Sequence, residues 1–276
     1  MNRLEKKVAV ITGSTRGIGL AIAREFVSEG ARVVITSSRR ENVEAAVREF
    51  SDSSESVFGH VCDASSYEEM EGLVNASVAR FGAIDCFINN AGISDPFENV
   101  GDSSPEAWGR VIDTNLKGTY YGSRAAVRYF LASGRKGKII NLAGSGTDKK
   151  SNTPYISAYG STKAAIARFT FAMAEEYRQS GISVMLLHPG LVRTSIVSPS
   201  NPTAEFTRQL DTFNTIQDIF AQSPDRAARY AVKMASEWSD GKTGLYLSAL
   251  DGKRKKLMLL SYPFRKMFNR IDRRTY

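Results

Sequence analysis

The chain predicts an α/β fold: a doubly wound parallel sheet in a single domain, residues 1–252, followed by a basic and apolar C-terminal extension, 253–276. Two observations carry this reading. Short β-branched runs alternate with helical stretches from the start, and the runs are apolar throughout instead of at every second residue. A strand that is apolar on both faces is buried on both, as in a parallel sheet covered by its own crossover helices.

The elements follow in order. Residues 8–12 make a buried strand, and 17–28 a helix ended by Gly30. A second strand at 32–36 leads to a helix from about 41 to 50. The third strand is 57–62, and the helix 66–80 begins at Ser66 or Ser65 as its cap. After a fourth strand at 84–88, Pro105 suits the first turn of one long helix reaching about 131. A fifth strand (138–142), a helix (158–179) and a sixth strand (182–187) follow. Beyond an irregular stretch, 191–224, a helix at 224–236 and a short strand at 245–247 complete the domain.

Composition narrows the class. A 42% hydrophobic and 24% charged chain is that of an ordinary globular protein. No apolar run approaches the ~18 residues of a membrane span, and the first residues carry no signal-like apolar stretch, so a cytoplasmic location is expected. Cys62 and Cys86 read as core filler in a reducing compartment. His60 and His188 lack companions at ligand spacing, and no metal is expected. The net charge of +8 is confined to the extension, where nine Lys/Arg meet one acid, Asp272. The first 252 residues balance 28 basic against 28 acidic side chains, which removes the electrostatic reason for binding nucleic acid.

Chemistry enters with the turn after the first strand, Thr12-Gly13-Ser14-Thr15-Arg16-Gly17-Ile18-Gly19. Glycines let the backbone turn tightly and bring N–H groups to a pyrophosphate at a helix N-terminus, where the dipole favours anions. The end of the second strand carries Ser37-Ser38-Arg39-Arg40, where an acid would bind ribose hydroxyls and repel a 2′-phosphate. Hydroxyls and guanidinium forks, with Arg16 in the loop, suit that phosphate; NADP(H) is preferred over NAD(H). Tyr159 and Lys163 stand four apart and share a helix face. A fixed ammonium there favours phenolate and is expected to lower the tyrosine pKa.

These pieces, with Asn89-Asn90-Ala91-Gly92, Asn115-Leu116-Lys117-Gly118 and Pro189-Gly190, follow the order and spacing of a known family. Over about residues 6–252 the chain resembles the short-chain dehydrogenases/reductases, in their single-domain branch of about 250 residues. The resemblance implies a Rossmann fold that moves hydride between NAD(P)(H) and a small-molecule alcohol or carbonyl, in a homo-oligomer, a dimer or tetramer. By that likeness Asp63 meets the adenine and Asn90, beside Ala91 and Gly92, the adenosine ribose. Pro189, Val192 and Thr194 flank the nicotinamide carboxamide. Tyr159 is the general acid/base, and Lys163 tunes it and holds the nicotinamide ribose. Asn115 links Lys163 to solvent through a water.

One family feature is displaced. The serine that binds the developing oxyanion stands three residues after the fifth-strand Asn and 13 before the tyrosine; here those positions are Gly144 and Gly146. Ser145, between two glycines that free the loop, is the preferred candidate, with Thr147, Ser151 and Thr153 as fallbacks. The stretch 191–223, with Ile196, Val197, Phe206, Leu210, Phe213 and Phe220, is either a substrate lid or two helices packed on the body. The extension is expected to dock on the protein itself; contact with an anionic membrane surface is possible but not preferred. The alternative to an enzyme is a dinucleotide-binding sensor or scaffold that kept the fold and lost the reaction.

Overall fold

Strand β1 (Val8–Ile11) is buried along its whole length, and its side chains divide between two cores. Ala9 and Ile11 enter one, Val8 and Val10 the other. In the computed structural model the described residues are 2–95, 97–148, 152–194, 196 and 207–276, less the side chain of Thr207. The same division recurs on the strands that follow: Ile139 and Ile140, or Val184 and Met185, face opposite cores. This two-sided burial is why the strands read as continuous apolar runs.

The remaining strands are β2 (Arg32–Ser37), β3 (Val57–Val61), β4 (Cys86–Asn89), β5 (Gly137–Leu142), β6 (Ile182–His188) and β7 (Tyr246–Ser248). They form one sheet in the order β3-β2-β1-β4-β5-β6-β7, and every pairing is parallel. The doubly wound sheet expected from the strand pattern is therefore the observed architecture. The chain first moves outward from β1 to β3 and then crosses back to β4. At such a reversal the helices leave in opposite directions, opening a crevice at the carboxyl ends of β1 and β4.

The helices are α1 (Gly17–Ser28), α2 (Arg40–Arg48), α3 (Tyr67–Phe81), α4 (Pro105–Val111), α5 (Gly118–Ser133), α6 (Ser157–Glu176), α7 (Thr207–Phe220), α8 (Asp225–Ala235) and α9 (Gly252–Met267). Residues of α1, α2 and α8 fill the core on one face of the sheet, and residues of α3, α5 and α6 the other. Ser66 caps α3, its hydroxyl accepting from the Glu69 N–H at 3.2 Å. The single long helix expected from 105 to about 131 is α4 and α5 joined by a wide π turn, Ile112–Lys117. That turn carries Asn115 inward, where it is fully buried.

Beneath the carboxyl edge lies a buried polar layer. Asn89 and Asn141 are register partners on β4 and β5, and the Asn89 amide donates to Asn141 Oδ1 at 2.8 Å and to Ser123 at 3.0 Å. Asn141 in turn donates to Thr170 at 2.9 Å. These bonds fasten the two strands that approach the crevice to α5 and α6. Beyond β7 the extension becomes α9, packed against α7, and then an irregular segment whose last residue returns to the body.

Candidate active site

The turn between β1 and α1 is held by its neighbour loop. The Thr12 hydroxyl accepts from the Asn90 and Ala91 N–H groups, each at 3.0 Å. The Asn90 amide donates back to the carbonyls of Thr12 (2.9 Å) and Gly13 (2.8 Å). Gly13 has a φ of +59°, and a Cβ there would stand 2.8 Å from the Ala91 Cα, so both conformation and space demand glycine. Helix α1 begins with no side-chain cap at Arg16 and no acid in its first turn. Its leading N–H groups are thus left for an external anion.

These elements border a cleft of about 500 Å³. Gly13, Thr15, Arg16, Gly17, Ile18 and Gly19 line one end, together with Ser37, Ser38, Arg39 and Asp63. Asn90, Ala91 and Gly92 line it too, with Tyr159, Lys163 and Pro189 beyond them, and Thr194 lies against Gly17, where a Cβ would stand 3.4 Å from its Cγ2. Asp63 is fixed by Ser65, which donates to it from both its N–H (2.9 Å) and its hydroxyl (2.8 Å). Arg16 and Arg39 are exposed.

Helix α6 presents Tyr159 and Lys163 on one face, as the spacing requires. Its N-terminus is capped from a distance: Asp95 accepts from the Ala158 and Tyr159 N–H groups, each at 3.2 Å. The Lys163 ammonium is buried, donates to the Leu142 carbonyl at 3.0 Å and lies 5.6 Å from the Tyr159 ring centre. Burial pushes the Tyr159 phenol up to about 12 and the Lys163 ammonium down to about 8. The expected lowering of the tyrosine pKa is thus not the resting condition. Desolvation outweighs attraction across the pair, because each charged form has lost its water.

Four sequence-predicted residues stand apart from the cleft. Ser14 is fully buried; its N–H donates to the Thr36 carbonyl at 2.9 Å and its hydroxyl ties Ile11 to Thr36, leaving nothing for a phosphate. Val192 is buried beside the cleft instead of lining it. Asn115 uses both amide protons inside the protein, on the Ile93 carbonyl (2.9 Å) and Thr162 (3.2 Å), and accepts from the Ile93 N–H at 2.8 Å. It fixes the loop beside Gly92, and its side chain has no proton left to offer a water. Ser145 is exposed and does not line the cleft.

The reason lies in its neighbours. Gly144 is the residue against the tyrosine: a Cβ there would stand 2.5 Å from the Tyr159 oxygen and 3.1 Å from Lys163 Cγ. The Gly144 N–H is held by the Thr147 hydroxyl at 3.0 Å, and the tight turn that results directs Ser145 outward. Ser151, Val197 and Phe206 lie outside the described residues.

Sequence reasoning missed several lining residues. Asn42 and Ala64 follow the β2 and β3 ends, Ile93 enters through the loop that Asn115 fixes, and Thr114 through the π turn that carries Asn115. Cys62, whose thiol burial holds near 12, also borders the cleft, as does Ile196 of the expected lid. The least foreseeable is Tyr276. Its N–H donates to the Arg193 carbonyl at 2.9 Å, and its own carbonyl lies 3.5 Å from where a Gly17 Cβ would be. Asp218 on α7 secures this return by pairing with both Arg193 and Arg273. His188, kept neutral by burial with its pKa near 4, accepts from the Gly190 N–H at 3.0 Å and pins the turn that carries Pro189.

A glycine turn, an uncapped helix N-terminus and a buried Tyr–Lys pair in one crevice define an oxidoreductase of the dehydrogenase/reductase class. The family model for short chain dehydrogenase matches residues 7–205, and the chain belongs to the short-chain dehydrogenase/reductase family. It is 37% identical over 194 residues to dehydrogenase/reductase SDR family member 4 of Bos taurus, covering 70% of this chain and 68% of that one. It is 33% identical over 247 residues to 3beta-hydroxysteroid dehydrogenase 1 of Eggerthella lenta, covering 88% and 92%. A probable chloroplastic chlorophyll(ide) b reductase of rice is 32% identical over 257 residues, of which this chain spans 49%. Among solved structures, a gluconate 5-dehydrogenase of Burkholderia cenocepacia in complex with NADP and tartrate superposes with a TM-score of 0.79 at 30% identity, over 92% of this chain and 97% of that one. A 3-ketoacyl-(acyl-carrier-protein) reductase of Brucella melitensis complexed with NADH gives 0.79 at 28% identity, over 91% and 99%.

Proposed function

We propose that the protein is an NADP(H)-dependent oxidoreductase that transfers hydride between nicotinamide and a carbonyl or alcohol, with Tyr159 as general acid/base. The observation that carries this reading is the desolvated Tyr159–Lys163 pair at one end of a cleft whose other end is an anion-ready helix N-terminus. The residues fit a dinucleotide: glycine is demanded at 13, the α1 N-terminus lacks its own cap, and the cleft volume of about 500 Å³ is of ligand-pocket size. Gly17, Ile18 and Gly19 would hold the pyrophosphate, Asp63 and Asn90 the adenosine, and Lys163, Pro189 and Thr194 the nicotinamide end. When bound, the nicotinamide supplies or accepts the hydride.

The protein's own part is proton traffic. A carbonyl that gains hydride becomes an alkoxide and needs a proton at its oxygen; Tyr159 carries one because its buried phenol stays protonated at neutral pH. Lys163, held beside the ring by the Leu142 carbonyl, steadies the phenolate left behind. The neighbours of the fold bind either NADH or NADP, so the preference for NADP(H) rests on Ser37, Ser38, Arg39 and Arg16 at the adenosine end. A homo-oligomer and a cytoplasmic setting belong to the same proposal. Both thiols are buried, and α5 and α6 expose Tyr120, Leu131 and Phe171 as a contact face.

The sensor reading is kept for one reason: Gly144 stands where an oxyanion-binding hydroxyl would face Tyr159. Following NADPH absorbance against ketones, aldehydes, quinones and steroids separates the two. Turnover of any of these supports the enzyme; tight NADPH binding with no turnover across the panel supports the sensor.

A further inference from the structure

Helix α9 has three faces. Arg254, Met258, Ser261, Tyr262 and Arg265 point to the body, buried or half-buried, and α7 packs against them. Arg265 locks this face by donating to the carbonyls of Ile219 (2.7 Å) and Met258 (3.0 Å), and Arg254 by donating to Gln222 at 2.9 Å. The helix is therefore fixed in rotation, and what it turns outward stays outward.

The outward face is an apolar ridge. Leu257, Leu260, Phe264 and Met267 recur at helical spacing, and Phe268 follows at the helix end. All are more than 60% exposed: Leu257 63%, Leu260 73%, Phe264 65%, Met267 68% and Phe268 62%. Lys253 and Lys256 stand at the start of the ridge, and Lys255, Lys266 and Arg270 run along its flank, all exposed. No acidic residue occurs from Gly252 to Ile271. Among the described residues nothing covers the ridge, and no helix is long and apolar enough to cross a membrane.

We propose that α9 is an interfacial membrane anchor, laying its Leu257–Phe268 ridge into the headgroup region of an anionic bilayer while the flanking cations meet lipid phosphates and carboxylates. Charge decides between lipid and a second copy of the chain. An isologous α9–α9 contact would set five cations against the same five, and the remaining 252 residues have no acidic excess to receive them. An anionic surface satisfies cations and ridge together, which neutral water or a neutral protein face does not. The helix would lie flat along about 24 Å of surface, at 1.5 Å per residue, and this reading does not depend on the proposed reaction.

The test is co-sedimentation of the full chain with phosphatidylcholine vesicles and with vesicles also containing phosphatidylserine. Binding is expected only to the anionic vesicles and is expected to weaken as salt rises. Replacing Lys253, Lys255, Lys256, Lys266 and Arg270 by Gln should weaken it by about fivefold per cation removed. Leu260→Glu with Phe264→Glu should abolish it while the melting temperature and NADPH affinity stay unchanged, because neither side chain packs on the body. The proposal is overturned if the wild-type chain ignores anionic vesicles or if neither set of changes alters sedimentation. A halved particle mass in the Leu260→Glu/Phe264→Glu variant, without lipid binding in wild type, would overturn it too and assign the ridge to self-association.

Discussion

The two ends of the cleft solve opposite problems. Beside the glycine turn, Arg16 and Arg39 are exposed on a wet rim; elsewhere in the cleft, Tyr159 and Lys163 are stripped of water. On the proposed function, exposed guanidinia meet a charged ligand without the cost of burial. The buried pair does the reverse: burial pushes the Lys163 ammonium down to about 8, so at neutral pH the fold bears the cost of holding that charge out of water. The Tyr159 phenol, raised to about 12, is uncharged folded and unfolded alike. The proposed function thus puts recognition where solvent is allowed and chemistry where it is not.

The sharpest break of this contrast is Tyr159→Phe. Turnover should fall about 1,000-fold while NADPH affinity, measured by fluorescence titration, stays within about twofold. If affinity fell in step with turnover, the two ends would not be separable. At the wet end, Arg16→Ala with Arg39→Ala should weaken NADPH binding by about 10–100-fold and leave NADH binding nearly unchanged. Equal losses for both cofactors would remove the guanidinia from any 2′-phosphate role.

Stability against pH reads the dry end. Unfolded, Lys163 keeps its proton to about its ordinary 10.5; folded, it loses it near 8. Between about pH 8 and 10 the unfolded chain binds more protons at this position, so its contribution to stability rises with pH. Lys163→Met removes that contribution, so the variant's advantage in melting temperature at pH 7 should shrink by pH 10. An advantage independent of pH would mean that Lys163 is not desolvated. A smaller effect is expected of Asp95→Ala, which uncaps α6: about 1 kcal/mol of stability and a several-fold loss in kcat, with NADPH affinity retained. The smallest is Ser145→Ala. Its side chain points away from the cleft, so turnover should stay near wild type; the ~100-fold loss typical of a missing oxyanion donor would show that the loop closes over substrate.

What could be read from the chain was whatever a local constraint imprints on neighbouring residues. Gly13 is there because a positive φ and a close backbone approach exclude other residues, and Tyr159 and Lys163 because one helical turn separates them. The continuous apolar strands announced two-sided burial in the same way. What stayed illegible depends on distant partners. Asp95 caps a helix more than sixty residues ahead of it, and Tyr276 reaches the glycine turn through Arg193 and Asp218. The inward turn of Ser14 and Asn115 depends on Thr36 and Ile93, which no spacing rule links to them. Displacement of the serine was visible, but not that Gly144 is pressed so close to the tyrosine that any side chain there must push it aside.

The position of Tyr276 has a practical side. Residues joined after it would leave the molecule at the lip of the cofactor cleft, beside Gly17 and Thr194. Residues joined at the amino end would leave beside Gly30, at the opposite ends of the strands, where Lys7 leads into β1. A purification tag or fluorescent fusion therefore measures two different proteins depending on the end chosen, and cofactor affinities should be compared only between chains tagged at the amino end.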